Sequence, residues 1–252
     1  MRSWPKHPID QFYGIETSQK VLRSFLRTGD KEADAGNNGY AGSQPSIIRR
    51  ALQALPPLNK AVFIDLGCGK GRVLAVATEF DFGEVIGIEL SPTLCRSAQR
   101  NADRLAAGRP ERTAIQVVLG DATRPKFPAS GDVVLFLYNP FREPLVASLV
   151  KYLEQEIGDA REGSVFVVYY NPAGVAQFDA SARFVRYFAE RMDFAPDEPM
   201  NFDNNFDSVV IWQARGRNMA APLPGADRWV EVRVPDSAAV VRDEPQPAHA
   251  AG

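Results

Sequence analysis

The segment with the clearest chemical content is Asp65-Leu66-Gly67-Cys68-Gly69-Lys70-Gly71, an acidic residue followed by three alternating glycines. A turn without Cβ atoms lets backbone N–H groups come close to a ligand. The next residues, RVLAVATEF, read as a helix whose N-terminus favours a negatively charged group. Asp65 stands two positions before the first glycine, placed to accept a hydrogen bond from an ammonium group or a water. A dinucleotide fingerprint G-x-G-x-x-G would need a third glycine where Arg72 stands, and the phosphate loop G-x-x-x-x-G-K-[ST] is absent. Two further acidic residues follow at strand ends. Glu89 lies about 20 residues beyond the glycines, where a carboxylate is placed to take both ribose hydroxyls of an adenosine. Asp121 follows in Gly120-Asp121-Ala122.

These residues need a framework that brings strand ends together. Short apolar runs rich in β-branched residues predict buried strands at 61–66, 84–89, 115–120, 132–139 and 164–171, with helical patterns between most of them. Ser91 and Pro92 open one helix as N-cap and first helical residue; Leu94, Ala98 and Leu105 form its inner face and Gly108 ends it. Another carries Leu145, Leu149, Leu153 and Ile157, with Gly158 placed to stop it. Strands at 184–190 and 207–214, joined by a loop with little helical signal, predict an antiparallel hairpin. The expected fold is α/β: a doubly wound, mostly parallel seven-stranded sheet with helices on both faces and an antiparallel last strand. Ligands of such sheets bind outside the carboxyl ends of the strands, beside the first one.

Upstream, Val21, Leu22, Phe25 and Leu26 predict a helix capped by Thr17 or Ser18, followed by a loop in TGDKEADAGNNG. Ile47, Ile48, Ala51, Leu52 and Leu55 predict a second helix, capped by Ser43 or Ser46 and stopped by Pro56 and Pro57. The expected organisation is a helical extension over 1–38, a main domain over 39–214 and a mostly flexible tail over 215–252, with a short strand in DRWVEVRV.

The chain has 252 residues, enough for one sizeable core, and a net charge of −2. No overall basic field draws it to nucleic acid or anionic lipid, so neither partner is expected, although a local basic patch is compatible with that charge. The N-terminus lacks the apolar stretch of a secretory signal, and no window has the roughly 18 apolar residues of a membrane span. Two cysteines, Cys68 and Cys95, suggest neither a disulfide framework nor a zinc cluster, and a cytoplasmic location is expected. The two histidines, His7 and His249, lie near the chain ends. A Ser-His hydrolase or His-rich metal site would need one in the folded centre, so no metal site is expected.

From about Tyr40 to Gln213 the chain resembles class I S-adenosylmethionine-dependent methyltransferases. D-x-G-x-G-x-G resembles their first motif, and Glu89 and Asp121 follow at the successive strand ends. The layout of a Tyr-Ser-Pro helix, D-L-G-C-G-K-G-R, G-I-E-L-S and Asn139-Pro140-Phe141 is similar to the small lysine methyltransferases without a SET domain. The resemblance implies S-adenosylmethionine as cofactor. Its amino-acid end would lie on Asp65, Gly67, Cys68, Gly69 and Gly71, its ribose at Glu89 and Leu90, and its adenine at Asp121 and Ala122. Tyr40 and Ser43 would reach its carboxylate. Tyr138 and Asn139, in the position of the fourth motif, would face the methyl group and an acceptor. An oxygen of Asn139 is placed to take a hydrogen bond from an acceptor amine, on a protein lysine or a small molecule. The parallel ending Tyr169-Tyr170-Asn171-Pro172 adds aromatics to the same mouth, which suits a flat or cationic acceptor. The Asn-rich FDNNFDS, residues 202–208, is placed at its edge.

Overall fold

The computed structural model describes residues 6–26, 38–199, 205–217, 219–233 and 240–242. Seven strands form one sheet: β1 (Val62–Leu66), β2 (Glu84–Glu89), β3 (Ile115–Leu119), β4 (Val133–Tyr138), β5 (Val165–Tyr170), β6 (Phe184–Asp193) and β7 (Phe206–Ala214). Their order is β3-β2-β1-β4-β5-β7-β6. Adjacent strands are parallel from β3 through β5, and β7 runs antiparallel to both β5 and β6. The doubly wound sheet with an antiparallel last strand is thus observed. Its chain order reverses between β2-β1 and β4, so the carboxyl ends of β1 and β4 diverge into a cleft.

Alternation within each strand feeds two apolar layers. Phe63, Val134, Phe136 and Phe166 enter one layer with Ile47, Ile48, Leu74 and Ala98. Ile64, Leu66, Leu135 and Leu137 enter the other with Leu149, Leu153, Phe178 and Trp212. The first layer lies under α1 (Pro8–Tyr13), α2 (Pro45–Gln53), α3 (Arg72–Ala77) and α4 (Pro92–Gly108). The second lies under α5 (Glu143–Glu156) and α6 (Val175–Asp179). Because both faces are covered, central strands are buried along their whole length, as in β5.

Several local expectations fail for identifiable reasons. No α-helix forms over 17–26: Val21 pairs with Tyr40 in an antiparallel bridge, and only a 3-10 turn, Arg23–Phe25, follows. Thr17 and Ser18 donate their N–H groups and hydroxyls to the buried Asp10 carboxylate, which holds the chain out of helical register. Leu22 and Phe25, placed on the buried face of the expected helix, are 67% and 75% exposed. The helix of this region is instead α1, with His7 as N-cap, Pro8 at its first position and Gly14 left-handed at its end. Neither Ser43 nor Ser46 caps α2; Gln44 holds that position and Ser46 bonds Glu198. α5 does stop just before Gly158, but without a left-handed glycine cap: Ile157 turns extended and Gly158 is not left-handed. α6 lies where no helix was expected.

His7 corrects another expectation. It is near the chain end yet 3% exposed, with Nε2 3.1 Å from Gln44 Oε1. In the stretch read as a tail, β8 (Glu231–Arg233) pairs with β9 (Val240–Arg242), and Ala226, Val230 and Val232 are buried. The loop expected over 28–39 falls mostly outside the described residues, as do 202–204 of the Asn-rich segment, the end of the tail and His249. No helix among the described residues is long and apolar enough to cross a membrane, and none of their His, Cys, Asp and Glu side chains cluster in threes to hold a metal.

Candidate active site

The glycine loop leaves β1 and turns into α3. Gly67, Gly69 and Gly71 have φ of 83°, 57° and 83°, a region where a side chain is strained. At Gly69 a Cβ would also strike the Tyr40 ring, and at Gly67 it would come within 2.5 Å of Pro140 Cβ. The N–H groups of Gly67 and Cys68 bond Ile88 O at 2.9 and 3.0 Å, fixing the loop to β2. The thiol of Cys68 turns inward against Gly87, so only its backbone faces the loop side.

Two buried carboxylates lie beneath. Asp65, 2% exposed, has an oxygen Oδ2 without a hydrogen-bond partner. Burial pushes its pKa well above the ordinary carboxylate range, and the nearby charge of Glu89 adds to the rise. Glu89 accepts from Gly69 N at 2.9 Å and Ser91 N at 2.8 Å. Burial raises its pKa, and these N–H bonds partly offset the rise. Asp121 is exposed at the end of β3, where Oδ1 accepts from both N and Oγ1 of Thr123 at 2.8 Å. Leu90 is half-buried and Ala122 buried beside them. Asp65, Glu89 and Asp121 therefore occupy three successive strand ends.

On the other side of the cleft, Asn139 and Asn171 end β4 and β5 with φ of 41° and 47°. Both precede a proline, and positive φ in a non-glycine residue is strained. Asn139 is 5% exposed; its Oδ1 accepts from Ala173 N at 3.2 Å, and its Nδ2 has no partner. The side chain of Asn38 donates to Asn139 O at 2.8 Å and Phe141 O at 3.4 Å, while Asn38 N donates to Pro140 O at 3.1 Å. Three successive carbonyls thus engage one residue of the N-terminal region. Tyr138 packs against Tyr170, with ring centroids 4.4 Å apart and the rings tilted by 38°. Tyr170 donates to Asp207 Oδ2 at 2.9 Å, and burial raises its pKa well above that of free tyrosine.

The N-terminal residues close the remaining side. Tyr40 lies over Gly69 and donates to Thr17 O at 2.7 Å. Lys70 reaches Gln19 O at 2.7 Å. Arg72, buried at the start of α3, bonds Thr17 Oγ1 at 2.7 Å and Ser43 O at 3.1 Å. The backbone carbonyl of Ser43 is thus committed to Arg72. Sequence reasoning overlooked Asn38, Asp10 and the positioning role of Arg72, and it placed Asp207 only as part of the segment edging the acceptor mouth, not as the partner of Tyr170. Only a cation in place of the third glycine hinted at Arg72; Asn38 sits in a run that reads as a turn.

The residues present fit S-adenosylmethionine. An unpartnered buried carboxylate oxygen suits an ammonium, a loop without Cβ atoms leaves room beside it, and Glu89 keeps lone pairs for ribose hydroxyls. Residues 63–155 match the family model described as a methyltransferase domain. Among curated proteins, the chain is 35% identical over 91 residues to nocamycin O-methyltransferase from Saccharothrix syringae, covering 35% of this chain and 31% of that protein. It is 30% identical over 112 residues to the ribosomal protein L11 methyltransferase of Pseudoalteromonas atlantica, covering 41% and 38%. The match thus spans only about a third of each of these relatives. Among solved structures, TrmN from Thermus thermophilus aligns at TM-score 0.49 and 16% identity, over 68% of this chain and 48% of that one. Strand order, glycine loop and matched residues agree: over residues 63–155 the chain is similar to a methyltransferase domain.

Proposed function

We propose that the protein transfers the methyl group of S-adenosylmethionine to an acceptor amine, on a protein lysine or a small molecule, in the cytoplasm. Asp65 and the loop from Gly67 to Gly71 would hold the amino-acid end with Tyr40 and Ser43, Glu89 and Leu90 the ribose, and Asp121 and Ala122 the adenine. The bound cofactor supplies an electrophilic methyl on a sulfonium, so the protein's part is positioning and exclusion of water. Tyr138 would face the acceptor side with the buried ring of Tyr170 behind it, and the segment from Asn38 to Ser43 would cover the cofactor.

The observation that carries the amine reading is the seat of the Asn38 side-chain NH2 on the carbonyls of Asn139 and Phe141. Carbonyls accept only, so a group that replaces Asn38 there brings N–H or O–H donors. The unpartnered Nδ2 of Asn139 favours a second reading, a small-molecule hydroxyl whose oxygen accepts from that donor. The names of the relatives include an O-methyltransferase and a ribosomal-protein methyltransferase, which fits a shared cofactor half serving different acceptors. The test is transfer of isotopic methyl from S-adenosylmethionine to lysine peptides, small amines and small alcohols. Label on nitrogen supports the amine reading and label on oxygen the second. Cofactor binding without transfer to any of them refutes both as stated and points to a binding protein without turnover.

A further inference from the structure

The small net charge of the chain conceals a segregated one. Between Pro92 and Arg112 stand five arginines and only two carboxylates, Asp103 and Glu111. Arg96, Arg100 and Arg104 recur every four residues along α4, about 6 Å apart along the axis, and all three are exposed. Hydroxyls one turn back hold two of them: Arg96 bonds Thr93 Oγ1 at 3.4 Å and Arg100 bonds Ser97 Oγ at 3.0 Å. Arg104 has only a long contact to Glu16, at 3.7 Å, of the surface kind that contributes little. The forks therefore stay open to solvent along one ridge.

The ridge leads to a cavity of about 420 Å³ lined by Phe12, Tyr13, Thr78, Glu79, Glu111 and Arg112. It lies where α1 meets the C-terminal ends of α3 and α4. Phe12 is 60% exposed there. Arg109 lies 5.0 Å from its ring centroid, and Arg112 lies 5.0 Å from that of Tyr13. A ladder of arginine forks ending at an exposed ring flanked by guanidinium planes combines the two features that hold a nucleic-acid strand: cations for phosphates and a flat platform for a base.

We propose that this surface docks single-stranded nucleic acid, with phosphates along Arg96, Arg100 and Arg104 and a base stacked on Phe12. This departs from the expectation drawn from net charge alone, and it does not depend on the acceptor chemistry above. The test is fluorescence anisotropy of labelled 20-nucleotide oligoadenylate and oligodeoxyadenylate at 50 and 200 mM KCl, with calorimetric S-adenosylmethionine binding measured in parallel on every variant. Binding should weaken roughly ten-fold or more between the two salts, as expected for about three phosphate contacts. The combined Arg96→Gln, Arg100→Gln, Arg104→Gln variant should lose at least about ten-fold and flatten the logarithmic salt slope by about two. Phe12→Ala should lose roughly ten-fold with the slope unchanged. Stronger binding of the ribo-oligomer would assign RNA, and of the deoxy-oligomer DNA. Absence of binding at 50 mM KCl overturns the proposal, as does undiminished binding by the arginine variant. Equal binding of polyglutamate, together with no effect of Phe12→Ala, also overturns it, because the ridge would then be a general anion attractor. Loss of cofactor binding in the wild type would instead count against the methyltransferase reading alone.

Discussion

Asp65 places a carboxylate oxygen without a partner where water does not reach, and such a group is costly unless a ligand completes it. Asp65→Asn is predicted to weaken S-adenosylmethionine binding by about 1.5–3 kcal/mol, the range for a hydrogen bond to a charged group, while stabilising the ligand-free protein. Its folded pKa is raised, so its contribution to stability is fully present below the ordinary carboxylate pKa and is lost as pH rises toward the folded value. Above that window the ionised form costs stability, so the gain of Asp65→Asn in urea unfolding should be larger at pH 7 than at pH 4. Glu89→Ala should weaken cofactor binding by about 1–3 kcal/mol, because it would lose the proposed ribose contacts and releases Gly69 N and Ser91 N; unchanged calorimetric affinity would remove Glu89 from the site. The positions of Asp65 and Glu89 were legible in the sequence because a parallel sheet brings strand ends together by topology. Asn38 was not, since its role exists only through bonds to carbonyls about a hundred residues away.

The described segments 17–26 and 38–43, joined by the Val21–Tyr40 bridge, form a strap beside the glycine loop that was the part least legible beforehand. Its apolar spacing has helical period, yet one carboxylate, Asp10, accepts from Thr17 and Ser18 and overrides it. Strands and helices of the sheet were legible because burial on both faces imposes long apolar runs, whereas α6 has only five residues and shows no such pattern. Arg72 clamps the strap to α3 through Thr17 and Ser43. Arg72→Met should lower stability by about 2–4 kcal/mol, since it strands buried acceptors. It should also raise the rate of S-adenosylhomocysteine release, because Tyr40 is no longer held over Gly69. Denaturant unfolding and a radiolabel chase check the two effects separately; stability loss without faster release would reduce Arg72 to a core residue.

The whole molecule joins a doubly wound sheet to segments that precede β1 and follow β7. His7 is bound to Gln44, and Gln44 reaches Pro199 O at 2.7 Å, so the first residues help fix the loop before β7. Burial, with the charge of Arg72, lowers the His7 pKa. A lowered histidine pKa means that the unfolded chain binds the proton first as pH falls. Stability should therefore decline below about pH 6.5, the ordinary histidine value, and continue to fall until the folded pKa is passed. His7→Gln should flatten this part of the pH profile in thermal unfolding. An unaltered slope would assign the acid sensitivity elsewhere.

Calorimetric titration with S-adenosylmethionine, with NADH as comparison, tests the central claim most directly. The site predicts micromolar binding of S-adenosylmethionine, weakened by Asp65→Asn and Glu89→Ala, and no binding of NADH, whose fingerprint Arg72 interrupts. Binding of NADH, or of neither compound, would contradict the assignment of the glycine loop and its two carboxylates.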